Sequence, residues 1–278
     1  MKTFAEILEQ APACRVLIAP APGSNSKGIN NSWLETVKED LLRRGNEVRY
    51  QEGSGEQAVK DACSAVKNGQ ADMLMQGDIP LERFYALLEE EGILEKTPCF
   101  ASLFEDRVRN KLFLVADTYI HDFPGLKEKI AFVNKMIELA GILGMETPKI
   151  AVLSAIETVN PAIPSTAEAA VLSKMSQRGQ FNALVEGPLD IDALAKQEAA
   201  RLKGVDSPVP GDYDAILGPD IETAHALSQA FTFIGRYPTA GILLGTHKPV
   251  IIHPGFIPRE NKAVEVAIHA LQGGAGIG

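Results

Sequence analysis

Short apolar runs alternate with segments of helical period from one end of the chain to the other. Arg15–Ala19, Glu47–Gln51, Asp72–Gln76, Leu112–Ala116, Lys149–Ser154, Ala183–Glu186, Asp214–Leu217, Ala240–Leu244 and Val250–Ile252 read as strands. Several are apolar on both faces, as in Ile150-Ala151-Val152-Leu153, the pattern of strands covered by helices on both sides. Between them, Trp33–Arg44, Glu56–Lys67, Leu81–Glu90, Leu126–Leu143, Thr166–Gln177, Ile191–Arg201, Ile221–Phe233 and Glu260–Leu271 carry helical periodicity. So strict an alternation predicts βαβ units and mostly parallel sheets, an α/β fold. Ligands of such sheets sit beyond the carboxyl ends of the strands. The chemistry is therefore sought in the loops Pro20–Asn31, Gly77–Pro80, Ser154–Thr166 and His253–Asn261.

Composition narrows the function classes. At 278 residues the chain can fill one large domain or two smaller lobes. A net charge of −9 argues against a nucleic-acid or anionic-membrane surface, since both need extended basic patches. A small anion is still accommodated, because helix N-termini hold phosphate inside acidic proteins. The three cysteines, Cys14, Cys63 and Cys99, form no CxxC pair, which suits a reduced cytoplasm and gives neither a disulfide nor a zinc framework. Met1–Gln10 is amphipathic rather than a signal peptide, and no apolar run approaches the ~18 residues of a membrane span. No GxGxxG follows the first strand, and neither HExxH nor GxSxG occurs. The five histidines do not pair at ligand spacing, and Asp212 and Asp214 read as strand-entry residues, so no metal is expected.

Ser154–Thr166 is the richest loop. It leaves a strong strand and opens a strong helix, and Ser165 with Glu168 matches a capping box. Ser154, Glu157, Thr158, Asn160, Ser165 and Thr166 would gather hydroxyls and amides at a positive helix end, a site for phosphate or an oxyanion. A well-capped helix after a proline-stiffened loop explains the same pattern without a ligand.

The stretch around this loop resembles the phosphate acetyl/butyryltransferases, and their butyryl branch most of all. The matching segments are PKIAVLSAIETVNPAIPST (148–166), KMSQRGQ (174–180), EGPLDID (186–192), EAARLKG (198–204), SPVPGDYDAILGPDIE (207–222) and AGILLG (240–245). Upstream, VAD (115–117), Pro124 and the helix ending GMETPK (144–149) fit too, so the resemblance covers about residues 70 to 271. It implies a two-lobed fold like that of isocitrate and isopropylmalate dehydrogenases. One lobe would take residues 1–146 with 253–278, the other residues 147–252, with the active cleft between them. It also implies reversible acyl transfer between phosphate and coenzyme A, with coenzyme A as substrate and no resident cofactor. A homodimer or larger homo-oligomer is implied as well. Gly77, Gly187 and Asp220 join the loop residues as expected phosphate or substrate contacts.

The resemblance breaks at the C-terminal end. Family members commonly carry Ser-Arg-x-Asp there, the Arg binding the acyl phosphate and the Asp acting as base toward the thiol. Ungapped, Pro254-Gly255 falls on Ser-Arg and Ile257 on Asp. With His253–Phe256 as an insertion, Pro258-Arg259 falls on Ser-Arg and Asn261 on Asp, which keeps the following helix in place. Arg259 and Asn261 are then the expected catalytic positions, although an amide cannot take a proton. Glu260, His253 or solvent could substitute, and Arg259 reads equally as a solvated helix-start residue. Leu81 stands where relatives place Thr, and Arg83, Arg107 and Arg109 are spare cations nearby. The Pro20–Asn31 loop is longer and more polar than its counterpart in relatives. Two readings follow: an active phosphate acyltransferase, or an altered homologue that binds coenzyme A, an acyl-CoA or a phosphorylated metabolite without turnover.

Overall fold

A computed structural model describes residues 1–23 and 32–274. In chain order the elements begin α1 (Phe4–Gln10), β1 (Arg15–Ala19), α2 (Ser32–Arg43), β2 (Glu47–Tyr50), α3 (Gly55–Lys67), β3 (Met73–Gln76) and α4 (Leu81–Glu90). They continue with β4 (Leu94–Asp106), β5 (Lys111–Ala116), α5 (Leu126–Ile142), β6 (Lys149–Leu153), α6 (Pro164–Gln177) and β7 (Leu184–Leu189). The last are α7 (Ile191–Ala195), α8 (Gln197–Leu202), β8 (Ala215–Leu217), α9 (Ile221–Gln229), β9 (Thr239–Thr246), β10 (Val250–Ile251) and α10 (Lys262–Gly274). Most of the Pro20–Asn31 loop lies outside the described residues.

The chain forms two compact units. One comprises Phe4–Pro98 with Thr239–Gly278. Its sheet runs β10-β3-β1-β2 with every pairing parallel. Val16, Ile18, Met73, Met75 and Ile251 from these strands pack with Leu34, Leu41 and Val266 from the covering helices. On α3 the buried residues Ala58, Val59, Ala62, Cys63 and Val66 recur at three- and four-residue spacing, one stripe of the helix. Each large aliphatic side chain so buried contributes about 1.5–3 kcal/mol. The three cysteines, Cys14, Cys63 and Cys99, are buried and form no disulfide in the structure.

The other unit comprises Met1–Thr3 with Cys99–Pro238. Within it the strand order is β7-β6-β8-β5-β4. The β5–β8, β8–β6 and β6–β7 pairings are parallel, whereas β4 and β5 form an antiparallel hairpin from Ser102↔Val115 to Asp106↔Lys111. Asp106 closes the hairpin turn by accepting the Val108 and Arg109 N–H groups at 2.9 and 3.0 Å.

The hairpin departs from strict strand–helix alternation, because β4 is missing from the strands read in the sequence. It also moves the boundaries. The division falls at 98/99 and 238/239, not at 146/147 and 252/253. Residues 99–146 supply β5 and most of β4 to the sheet of β6–β8, while β10 pairs with β3. The helix read over Ile191–Arg201 splits into α7 and α8 at Lys196, whose backbone is extended (φ −137°, ψ 121°).

Candidate active site

The carboxyl ends of β6, β7 and β8 open on a pocket of about 980 Å³. Parallel strands each leading to a helix bring several helix N-termini to one sheet edge. The pocket wall accordingly holds Gly125 before α5, Pro164 and Ser165 of α6, Asp190 before α7, and Asp220 before α9.

Three of these helix ends carry a carboxylate of the chain itself. Asp220 Oδ1 accepts the Thr223 N–H at 2.8 Å, Asp190 Oδ1 accepts that of Ala193 at 3.1 Å, and Glu128 Oε2 accepts that of Gly125 at 3.1 Å. Helix α6 does not: its N-cap is Ile163, with no side-chain acceptor, and Pro164 is its first residue. This corrects the capping box expected at Ser165 and Glu168. Proline needs no acceptor and has the right φ for the first turn, so the helix starts two residues earlier, with Ile163 rather than Ser165 at the N-cap. Ser165 Oγ instead lies 2.8 Å from Ser154 Oγ, and Glu168 Oε2 meets the Lys129 ammonium at 2.5 Å. Lys129 is only 3% exposed and lines the same pocket. An N-terminus without its own acceptor, two hydroxyls and a buried ammonium make one end of the pocket receptive to an anion.

The remaining residues expected in this unit are placed differently. Asn160 and Thr166 knot the loop: the Asn160 N–H donates to Thr166 Oγ1 at 2.9 Å, and Asn160 Oδ1 accepts the Ala162 N–H at 2.9 Å. The Thr166 hydroxyl, fully buried, faces the Ile163 carbonyl at 2.7 Å. Neither lines the pocket, and Thr158 is exposed outside it. Gly187 serves packing, since a Cβ there would come within 2.8 Å of the Val152 side chain and carbonyl. Glu157 joins Asp190 and Asp192 around the Lys203 ammonium, at 3.0 Å from Glu157 and 2.5 Å from Asp190. These three acids are the group at metal-ligand spacing among the described residues, and it is a lysine that fills their centre. Asp190 and then Asp192 hold Lys203 above its ordinary lysine range.

The other unit holds Gly77, Arg259 and Asn261. A Cβ on Gly77 would lie 1.9 Å from the Pro20 carbonyl oxygen, and its N–H donates to Ala19 at 2.8 Å, so the ends of β1 and β3 meet backbone to backbone. Arg259 lays its guanidinium 4.4 Å above the Trp33 ring. The edge of the His253 ring packs on that same Trp33, 4.4 Å between centroids. The His253 N–H donates to Gln76 Oε1 at 2.8 Å, while both ring nitrogens are buried with no hydrogen-bond partner among the described residues. Burial first, then the Lys262 charge, pushes this imidazole well below its usual range. Asn261 Nδ2 donates to the Thr239 carbonyl at 2.9 Å, a structural bond. Leu81 is the first residue of α4.

The spare arginines are not spare. Arg83 pairs with Glu56 and Glu90, Arg107 with Glu105, and Arg109 with Asp106 while stacking over Tyr213. Asp212 and Asp214 pair with Lys111, and Asp212 also with Lys149.

Residues 22–255 match the family described as Phosphate acetyl/butaryl transferase. The chain belongs to that family. It is 38% identical over 221 residues to the phosphate butyryltransferase of Clostridium acetobutylicum, covering 78% of this chain and 73% of the relative. It is 37% identical over 243 residues to the phosphate acetyltransferase of Thermotoga maritima, covering 86% and 82%. Among solved structures, a branched-chain phosphotransacylase from Enterococcus faecalis superposes with a TM-score of 0.76 at 25% identity, covering 93% of this chain and 99% of that one.

In this family member, Ser154, Ser165 and Asp220 are the sequence-derived residues that line one pocket together. Lys129 and Asp190 escaped the sequence reading. Lys129 does carry a signal, since it stands in register with Phe132, Val133, Met136, Leu139 and Ala140 on the buried stripe of α5. A lysine on an apolar stripe needs a partner or a ligand.

Proposed function

We propose that this chain is a phosphate acyltransferase that moves an acetyl- or butyryl-type acyl group between phosphate and coenzyme A. Its membership of the phosphate acetyl/butyryl transferase family supports the reaction class. The observation that carries the site is the α6 N-terminus, without a side-chain acceptor and opening on the pocket beside Ser154, Ser165 and Lys129. An acyl phosphate is a dianion at neutral pH. Its phosphoryl oxygens would take the Ser165 N–H and the Ser154 and Ser165 hydroxyls, with Lys129 and the helix dipole offsetting the charge that grows as phosphate leaves. The pocket volume suits a small acyl phosphate with part of a larger co-substrate.

The test is thioester formation, followed by absorbance, with purified protein, coenzyme A and acetyl, propionyl or butyryl phosphate. Turnover with at least one is expected, and none with any would remove this reading in favour of a binding homologue. No helix among the described residues is long and apolar enough to cross a membrane. We infer a cytoplasmic homo-oligomer, which sedimentation of the purified chain would check.

A further inference from the structure

Acyl transfer to a thiol needs a base, and the candidate groups, those of the pocket and those the sequence suggested elsewhere in the chain, are largely engaged. Asn261 is an amide and holds the Thr239 carbonyl. Glu157 and Asp190 surround Lys203, Asp220 caps α9, and Glu168 holds Lys129. His253 has its ring nitrogens sealed from solvent. Among the described residues one arrangement has the form of an oriented base: His121, on the loop that becomes the pocket wall two residues later at Phe123.

Asp117, just after β5, is buried, and its two oxygens collect donors from the following loop and from β4. Oδ1 accepts the N–H groups of Phe100, Tyr119 and Ile120 at 3.0, 3.1 and 3.1 Å. Oδ2 accepts the His121 N–H at 3.0 Å and lies 2.8 Å from His121 Nδ1. Since the carboxylate accepts, Nδ1 carries the proton and Nε2 presents its lone pair. The ring leans on Phe132, 5.0 Å between centroids, and the side chain is 26% exposed, so the imidazole is not sealed in the core. The Ile221 N–H donates to the Asp122 carbonyl at 3.0 Å, which ties this loop to the start of α9 beside the pocket.

We propose that His121, oriented by Asp117, is the general base that takes the thiol proton of coenzyme A; this rests on the transferase reading above. The thiol S–H proton passes to Nε2 as sulfur forms its bond to the acyl carbonyl carbon. The carbon–oxygen bond to phosphate then breaks, phosphate leaves with the electron pair, and the imidazolium proton returns to it. Thioester and hydrogen phosphate are the products, with no other reactant. Asp117 acts as a positioning residue.

The test compares wild type with His121→Asn, whose amide can still donate to Asp117, and with His121→Gln, both assayed from pH 6 to 9.5. At pH 7 both variants are expected to lose about 100-fold in kcat. The deficit should shrink to below about tenfold by pH 9.5, because free thiols ionise unaided near ~8.5. Variants within threefold of wild type at every pH, or a loss of equal size at every pH, would overturn the assignment while leaving the transferase reading intact. A wild type that turns over none of the acyl phosphates would remove both.

Discussion

Asn261 Nδ2 donates a hydrogen bond of 2.9 Å to the carbonyl oxygen of Thr239, tying the turn before α10 to the first residue of β9. The family resemblance implies an aspartate at this position in relatives, so Asn261→Asp is the obvious attempt to restore a base. A carboxylate there would face the Thr239 oxygen with no hydrogen between them. The substitution is expected to cost about 1–3 kcal/mol in urea unfolding at pH 7 and to leave kcat no higher. A rise in kcat of tenfold or more would show that the turn can move and that the position retains its ancestral role.

Ser154 and Ser165 share one hydrogen bond at the mouth of α6, and both line the pocket. Ser154→Ala and Ser165→Ala are each expected to raise KM for the acyl phosphate about tenfold, at about 1 kcal/mol in stability. The double variant should cost less than the sum of the two, since either change already breaks the shared bond. Initial rates over a range of acyl phosphate concentrations decide this. Unchanged KM in both would place the phosphate elsewhere.

Strands buried on both faces were legible because their apolar runs have no competing period; β1 begins and ends at the residues read from the sequence, Arg15 and Ala19. β4 was not, because it opens on Leu94-Glu95-Lys96-Thr97-Pro98, polar and broken by a proline, before its buried stretch from Pro98 onward. The site divides in the same way. Ser154 follows from its place at a strand end, which periodicity locates, whereas Asp220 was implied by the family resemblance. Ser165 was found but misread as a cap, because Pro164 had already taken the first helical position. Lys203 among three acids depends on α8 folding back toward the β6–α6 loop, a tertiary fact without local signature.

Gly77 has no room for a side chain. A methyl group would meet the Pro20 carbonyl at 1.9 Å, a contact with backbone that no rotamer change relieves. Gly77→Ala is therefore expected to destabilise the chain by about 3 kcal/mol or more, as overpacking does. Urea unfolding midpoints measure it. A cost below about 1 kcal/mol would mean that the ends of β1 and β3 separate freely.

His269 sets an acid limit on stability. It lies buried on α10, with Nδ1 2.6 Å from Gln272 Oε1 and Nε2 without a partner among the described residues. Burial pushes its pKa down to about 4, against the partial support of Gln272. In the unfolded chain an imidazole titrates near ~6.5. As pH falls below that value, the unfolded state gains a proton that the native state refuses until about pH 4, so stability declines across this window and is fully present above it. Between pH 6.5 and 5 the decline from this one group is on the order of 2 kcal/mol. His253, depressed well below its range by burial and by Lys262, pulls in the same direction. Urea midpoints at pH 7.5, 6.5, 5.5 and 5 should therefore fall steadily in wild type, and less steeply in His269→Leu, which has no proton to take up. An identical slope in the variant would assign the acid sensitivity to other groups.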